Sequence, residues 1–220
     1  MISKRKRLQN CSLYLILDAE VASYDRLFEV MKEASLCGVD IVQLRDKLGT
    51  PRDMIRFSLR ALRWLKGKIP FIVNDRVDCA VAACADGVHL GQDDVPVSVA
   101  RSILGRGRII GKSCQTLSHL RQAQAEGVDY VGFGSVFRTQ TKPGRPPMEF
   151  HLLRSAVKSA AIPLFGIGGI TRDNLGAVTA CGLRRVAVCR EILRADCVES
   201  AVRRLKGGLT QKNKPRLMRE

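Results

Sequence analysis

Short apolar, often β-branched runs alternate along this chain with longer segments whose apolar residues recur at helical spacing. Leu13–Leu17, Ile41–Leu44, Pro70–Val73, Gly87–Leu90, Arg108–Gly111, Tyr130–Phe133, Pro163–Ile167 and Arg185–Val188 read as strands. Between them Tyr24–Leu36, Pro51–Leu65, Val95–Leu104, Ser118–Glu126 and Phe150–Ser159 read as helices. Thr50 before Pro51, and Thr171 before Asp173 and Asn174, are expected helix starts, because a side-chain hydroxyl can accept from the unpaired amides there. Gly38, Gly105, Gly127 and Gly182 stand between a helix and the next strand, where a left-handed cap belongs. Each strand and helix unit takes roughly 20 to 30 residues, enough for one crossover and two short loops. Eight such units predict an α/β fold closed as a (β/α)8 barrel, the TIM barrel, although an open eight-stranded sheet fits the same periodicity.

Length agrees with a single barrel domain, expected over residues 11–207 between basic tails at 1–10 and 208–220. With 45% hydrophobic and 26% charged residues the chain can bury a full core. No apolar run nears the roughly 20 residues of a membrane helix. The first ten residues are basic without the apolar stretch of a secretory signal, so the expected location is cytoplasmic. The eight cysteines include no CxxC pair and there are only three histidines, which argues for free thiols over disulfides or zinc. A net charge of +16 raises the question of nucleic acid. Much of it lies in Lys4–Arg7 and in Arg203, Arg204, Lys206 and the residues after them, read as solvated tails and a helix face. Nucleic acid and membrane are therefore not expected partners, whereas small phosphorylated molecules are. The sequence leaves a homo-oligomer open.

In a barrel of this kind, chemistry sits at the carboxyl ends of the strands. After the second run, Gln43, Arg45 and Lys47 alternate with Leu44 and Asp46 and so share one face, two cations beside a neutral donor. Such a set can clamp a diphosphate; read alone it is equally a pair of surface charges. Asn74 and Asp75 end the third run, and Gly91-Gln92-Asp93-Asp94 follows the fourth. Asp75 and Asp94 can share one divalent cation, or each can cap the helix after it. Gly111-Lys112-Ser113 brings a hydroxyl to the same end.

The stretch from Gly132 through Pro147 is long for a barrel loop and carries Thr139, Thr141 and Lys142, two hydroxyls and a cation suited to an anion. Gly166-Ile167-Gly168-Gly169-Ile170 closes the seventh run before a helix. Paired glycines let backbone amides approach a phosphate, and the loops after strands seven and eight are the usual phosphate site of the fold.

Taken in order, Leu13-Tyr14-Leu15, QLRDK at Gln43–Lys47, ND at Asn74–Asp75, ADGVHLGQDD at Ala85–Asp94, VGFGSVFRTQTK at Val131–Lys142 and GIGGI at Gly166–Ile170 resemble the thiamine-phosphate synthase family. The resemblance implies condensation of hydroxymethylpyrimidine diphosphate with hydroxyethylthiazole phosphate, or its carboxylate, giving thiamine phosphate and pyrophosphate. It implies that Asp75 and Asp94 hold Mg2+. Gln43, Arg45, Lys47, Asn74, Ser113 and Lys142 would hold the pyrimidine diphosphate, with Arg45, Lys47, Ser113 and Lys142 acting in catalysis. Thr139, Thr141, Gly168, Gly169, Val188 and Cys189 would hold the thiazole phosphate. Where the family commonly has Val-Ser-Ala, this chain has Val188-Cys189-Arg190. A thiazole tautomerase of the same fold, which has no diphosphate to ionise, and a barrel that binds ligand without turnover are the rival readings.

Overall fold

The computed structural model describes residues 8–140, 144 and 146–210. Eight parallel strands close on themselves in sequence order: β1 (Leu13–Asp18), β2 (Ile41–Arg45), β3 (Phe71–Asn74), β4 (Gly87–Leu90), β5 (Ile109–Cys114), β6 (Tyr130–Phe133), β7 (Leu164–Ile167) and β8 (Val186–Val188). The last pairs with the first through Leu13–Val186 and Leu15–Val188, which excludes the open sheet.

Alternation within each strand sorts the side chains into two cores. Leu13, Leu15 and Leu17 of β1, Val42 and Leu44 of β2, and Val73 of β3 pack outward against the helices. Tyr14, Ile16, Ile41, Ile72, Ile109, Tyr130 and Phe165 pack inside the barrel. Because both faces of each strand are covered, the strands read as near-continuous apolar runs.

The helices are α1 (Tyr24–Cys37), α2 (Pro51–Leu65), α3 (Val77–Ala82), α4 (Val97–Leu104), α5 (Leu117–Ala125), α6 (Phe150–Ser159), α7 (Leu175–Ala180), α8 (Arg190–Leu193) and α9 (Val198–Thr210). In α2 the Thr50 hydroxyl accepts from the Asp53 amide at 3.2 Å and Pro51 occupies the first turn, where its missing N–H costs nothing. Met54, Phe57, Ala61 and Leu65 then recur at three- and four-residue spacing on the buried face. Removing the Thr50 cap would cost about 1 kcal/mol.

Several boundaries depart from expectation. Thr171 does not cap α7; its amide instead donates to Asn174 Oδ1 at 2.9 Å, and the helix begins at Leu175. The packed body extends past both expected tail boundaries, for Leu8 (1% exposed) plugs the floor of the barrel and Leu209 (4%) seats the end of α9. Lys206 is no solvated tail charge: its Nζ bonds Asp40 at 2.6 Å and the Ser12 hydroxyl at 3.0 Å, tying α9 to the start of β1. Among the described residues no helix is long and apolar enough to cross a membrane.

Candidate active site

One step up the barrel from its isoleucine floor the inward positions turn polar. Ile41 gives way to Gln43 and Arg45, Ile72 to Asn74, and Ile109, past Gly111, to Ser113. The result is a cavity of about 480 Å3 at the carboxyl ends of the strands. Buried polar groups need partners, and here they find one another. Gln43 Nε2 donates to the Tyr14 hydroxyl at 2.6 Å, which lies 2.8 Å from the Tyr130 hydroxyl. Tyr130 is 3.0 Å from His89 Nδ1, and His89 Nε2 is 2.9 Å from Ser113 Oγ. Burial pushes both phenols well above the ordinary tyrosine value, so both are neutral donors.

Above this floor runs a belt of charge. Arg45 Nη1 donates to both carboxylate oxygens of Asp18, at 2.9 and 2.8 Å, and to Glu20 Oε1 at 2.9 Å. Asp18 and Arg45 are register partners at the ends of β1 and β2, and Asp18 is fully buried. Lys47 Nζ donates to Asp75 Oδ2. Asp75 sits at φ +59°, a left-handed backbone that costs a non-glycine residue and is held by its amide's bond to His89 O at 2.8 Å. Burial pushes the Asp75 carboxyl above its ordinary value, and the neighbouring Asp94 pushes it further. Burial works against the Asp94 ion as well. The hydrogen bond from Asp75 and the Gly91 amide, at 2.5 Å, outweigh that and bring Asp94 below the ordinary value. Neither carboxylate caps a helix: the cap positions before α3 and α4 are Arg76 and Pro96, with no side-chain cap bond.

On the opposite rim, Val136 and Phe137 donate their amides to Ile167 O and Gly168 O, both at 2.9 Å, stitching the loop after β6 to the loop after β7. The seam is tight. A Cβ on Gly168, at φ +102°, would lie 2.1 Å from Ser135 Oγ, and one on Gly169, at φ +62°, 2.4 Å from Arg138 O. Asn174 Nδ2 takes the Gly169 carbonyl at 2.8 Å. With both glycine carbonyls bound to protein, trans peptide geometry turns the following amides, of Gly169 and Ile170, the other way, and both residues line the cavity. Thr139 lines the same rim. Val188 packs its side chain into the outer core and borders the cavity at the end of β8. Burial pushes the Cys189 thiol up to about 12, so it is a neutral wall of the cavity and no nucleophile.

Of the residues singled out from the sequence, Gln43, Arg45, Lys47, Asn74, Asp75, Asp94, Ser113, Thr139, Gly168, Gly169, Val188 and Cys189 thus border one cavity. Thr141 and Lys142 lie outside the described residues.

The profile of one family, described as thiamine monophosphate synthase, matches residues 13–192, from β1 into α8. The chain belongs to the thiamine monophosphate synthase family. A thiamine-phosphate synthase of Thermosynechococcus vestitus is 44% identical over 95% of the chain, and one of Alkaliphilus oremlandii is 37% identical over 90%. The chain spans 59% of the length of the first and 95% of the second. A solved thiamine phosphate pyrophosphorylase from Pyrococcus furiosus superposes with a TM-score of 0.82 at 33% identity, over 93% of this chain and 96% of that one.

The site of this family member also contains residues that strand-end reasoning passed over. Tyr14, His89 and Tyr130 lie inside apolar runs, where periodicity reads them as core. Asp18 had a usable signal, being the last residue of β1 and directly opposite Arg45.

Proposed function

We propose that this chain is a thiamine-phosphate synthase that joins hydroxymethylpyrimidine diphosphate to hydroxyethylthiazole phosphate and releases pyrophosphate, or joins it to the thiazole carboxylate and releases pyrophosphate and CO2. The observation that carries the reading is the pairing of Asp75 with Asp94 beside Lys47, two carboxylates that cap no helix and line the cavity that Arg45 enters. Two half-buried carboxylates that raise one another's charge cost, Asp75 pushed up by burial and by Asp94, fit a divalent cation between them, and Mg2+ takes one or two carboxylates together with phosphate oxygens. Among the described residues no group of three His, Cys, Asp or Glu side chains could hold a metal ion, so a cation here would draw its remaining oxygens from substrate phosphate and water. Asp75 and Asp94 would hold Mg2+, which when bound neutralises charge on a departing diphosphate.

The chain's own groups do the rest. Arg45 and Lys47, now paired with Asp18, Glu20 and Asp75, would turn to diphosphate oxygens, with Lys142, assigned from the family resemblance alone, as a further cation. As the pyrimidine C–O bond breaks, its electron pair leaves with the diphosphate, and these fixed cations stabilise that charge without reorganising. The thiazole nitrogen then forms the new C–N bond. Ile16, Ile167 and Ala187 in the cavity wall keep water from the cationic carbon. Thr139, Thr141 and the Gly169 and Ile170 amides would hold the thiazole phosphate, bordered by Val188 and Cys189, and thereby its nitrogen, in line. Asn74 and Ser113 would meet the pyrimidine. A cytoplasmic setting agrees with eight free thiols.

The test is pyrophosphate release by the purified chain. Release is expected only with both substrates and Mg2+ present, and it should stop with a chelator. Isomerisation of the thiazole without release would point to a tautomerase. Binding without either reaction would point to a ligand-binding barrel.

A further inference from the structure

The buried chain of hydrogen bonds under the cavity has a direction, and proton counting fixes it. Gln43 Nε2 is a donor only, so the Tyr14 oxygen accepts at that end. The one proton of Tyr14 then has the Tyr130 oxygen as its acceptor, because no other partner of Tyr14 exists among the described residues. Were Tyr130 to donate to Tyr14 instead, Tyr14 would carry an O–H with no protein acceptor among the described residues, a costly arrangement for a residue only 2% exposed. Tyr130, accepting from Tyr14, must donate onward to His89 Nδ1. A neutral imidazole that accepts at Nδ1 carries its proton on Nε2. That proton goes to Ser113 Oγ, 2.9 Å away. Ser113, having accepted, has its own proton left for whatever occupies the cavity it lines. At the other end Gln43 turns its amide nitrogen to the tyrosines, one N–H to Tyr14 and the second toward Tyr130, so its carbonyl oxygen is what it offers to the cavity it lines.

We propose that Gln43 sets the direction of this chain, which holds His89 as the Nε2–H tautomer and commits Ser113 to donate into the cavity, while Gln43 itself accepts. Tyr14, Tyr130 and His89 are positioning residues that carry the polarity across the barrel from β2 to β5. The ligand this pattern selects is a nitrogen heterocycle whose rim bears both a donor and an acceptor. In the reaction proposed above, on which this last step rests, that ring is the aminopyrimidine. A ring with the amine replaced by an oxo group presents the opposite pattern at that edge, and the chain's fixed direction disfavours it.

The tautomer can be read directly. The chain has three histidines, so 15N-histidine labelling and long-range 1H–15N correlation near pH 8, without substrates, resolves the His89 ring. The Nε2–H tautomer is expected. Gln43→Glu, whose carboxylate can only accept, must reverse each bond in turn and move His89 to the Nδ1–H tautomer. Tyr130→Phe, a near-isosteric change that cuts the chain, should release His89 into a mixture. It should also raise KM for the pyrimidine diphosphate roughly 10-fold or more, the scale of one lost charged or buried hydrogen bond, with KM for the thiazole phosphate unchanged. An Nδ1–H tautomer in the unaltered protein, or no change of tautomer in Gln43→Glu, overturns the proposal. These spectra need no substrate, so failure of pyrophosphate release would remove the proposed reaction and leave the chain's direction standing. The reverse result would do the opposite.

Discussion

Asp18→Asn isolates what the buried ion pair at the first strand end does. Asp18 is 1% exposed and Arg45 11% at their side chains, and Nη1 reaches both carboxylate oxygens within 2.9 Å. Breaking a buried pair by removing one partner costs about 3–5 kcal/mol, since the remaining charge loses its compensation. Glu20, 40% exposed and 2.9 Å from the same nitrogen, stays and recovers about 1 kcal/mol at most. The expected net loss is about 3 kcal/mol. For a domain of this size, at about 2–4 °C per kcal/mol, the midpoint of thermal unfolding should fall by roughly 6–12 °C. The second arm concerns binding. In the unaltered protein a diphosphate must compete with Asp18 for Arg45, whereas in the variant the guanidinium is undercompensated. Added pyrophosphate should therefore raise the melting midpoint of Asp18→Asn by more than it raises that of the parent, through mass action on the folded state. Differential scanning fluorimetry of both proteins across a pyrophosphate series measures both arms. A variant that melts within about 1 °C of the parent would refute the energetic reasoning. Equal stabilisation of the two by pyrophosphate would refute the assignment of Arg45 to an anion.

Two further outcomes follow from local geometry. Asp46 accepts from the Tyr24 hydroxyl at 2.5 Å and from the Leu48 and Gly49 amides at 3.0 and 2.7 Å, and these outweigh burial to hold its carboxyl below the ordinary value. A depressed folded-state pKa contributes stability that is present above the unfolded value, about pH 4, and is lost as the pH falls through the folded value. Asp46→Asn should accordingly lower stability at pH 7 and flatten its fall on the acid side in urea titrations; an unchanged acid limb would contradict this. Gly168→Ala would force a Cβ to 2.1 Å from Ser135 Oγ at φ +102°, costing on the order of 1–3 kcal/mol of backbone strain alone. It should raise KM for the thiazole phosphate more than KM for the pyrimidine diphosphate in steady-state assays, and an effect on the pyrimidine alone would count against the rim assignment.

The strands were the most legible part of the fold. A parallel barrel buries both faces of each strand, so all eight stand out as apolar runs, and their observed ends differ by a few residues. β5 runs on to Cys114 because Ser113 and Cys114 stay paired with Gly132 and Phe133 of β6, while Lys112 before them leaves the barrel to bond Glu126 at 2.7 Å, a partner that sequence spacing does not announce. The short helices α3 and α8 went unread because neither carries a side-chain cap or enough turns to show a period. The charged rim was visible because strand ends are where polar residues interrupt apolar runs. The hydrogen-bonded floor was not: Tyr14, His89 and Tyr130 become polar actors only when β1, β4 and β6 close on one another, since none is near another in sequence. The charge on Lys206 was misread for the same reason, its partner Asp40 lying far away in the chain.

The most direct test of the central claim is single-turnover pyrophosphate release by the parent and by Asp94→Ala, each with both substrates across a Mg2+ series. Saturable Mg2+ dependence in the parent and a loss of about 100-fold or more in the variant, roughly 2.7 kcal/mol of transition-state stabilisation, are expected. Release by Asp94→Ala at the parent's rate and with the same Mg2+ dependence would contradict the assignment of the paired carboxylates to the departing diphosphate.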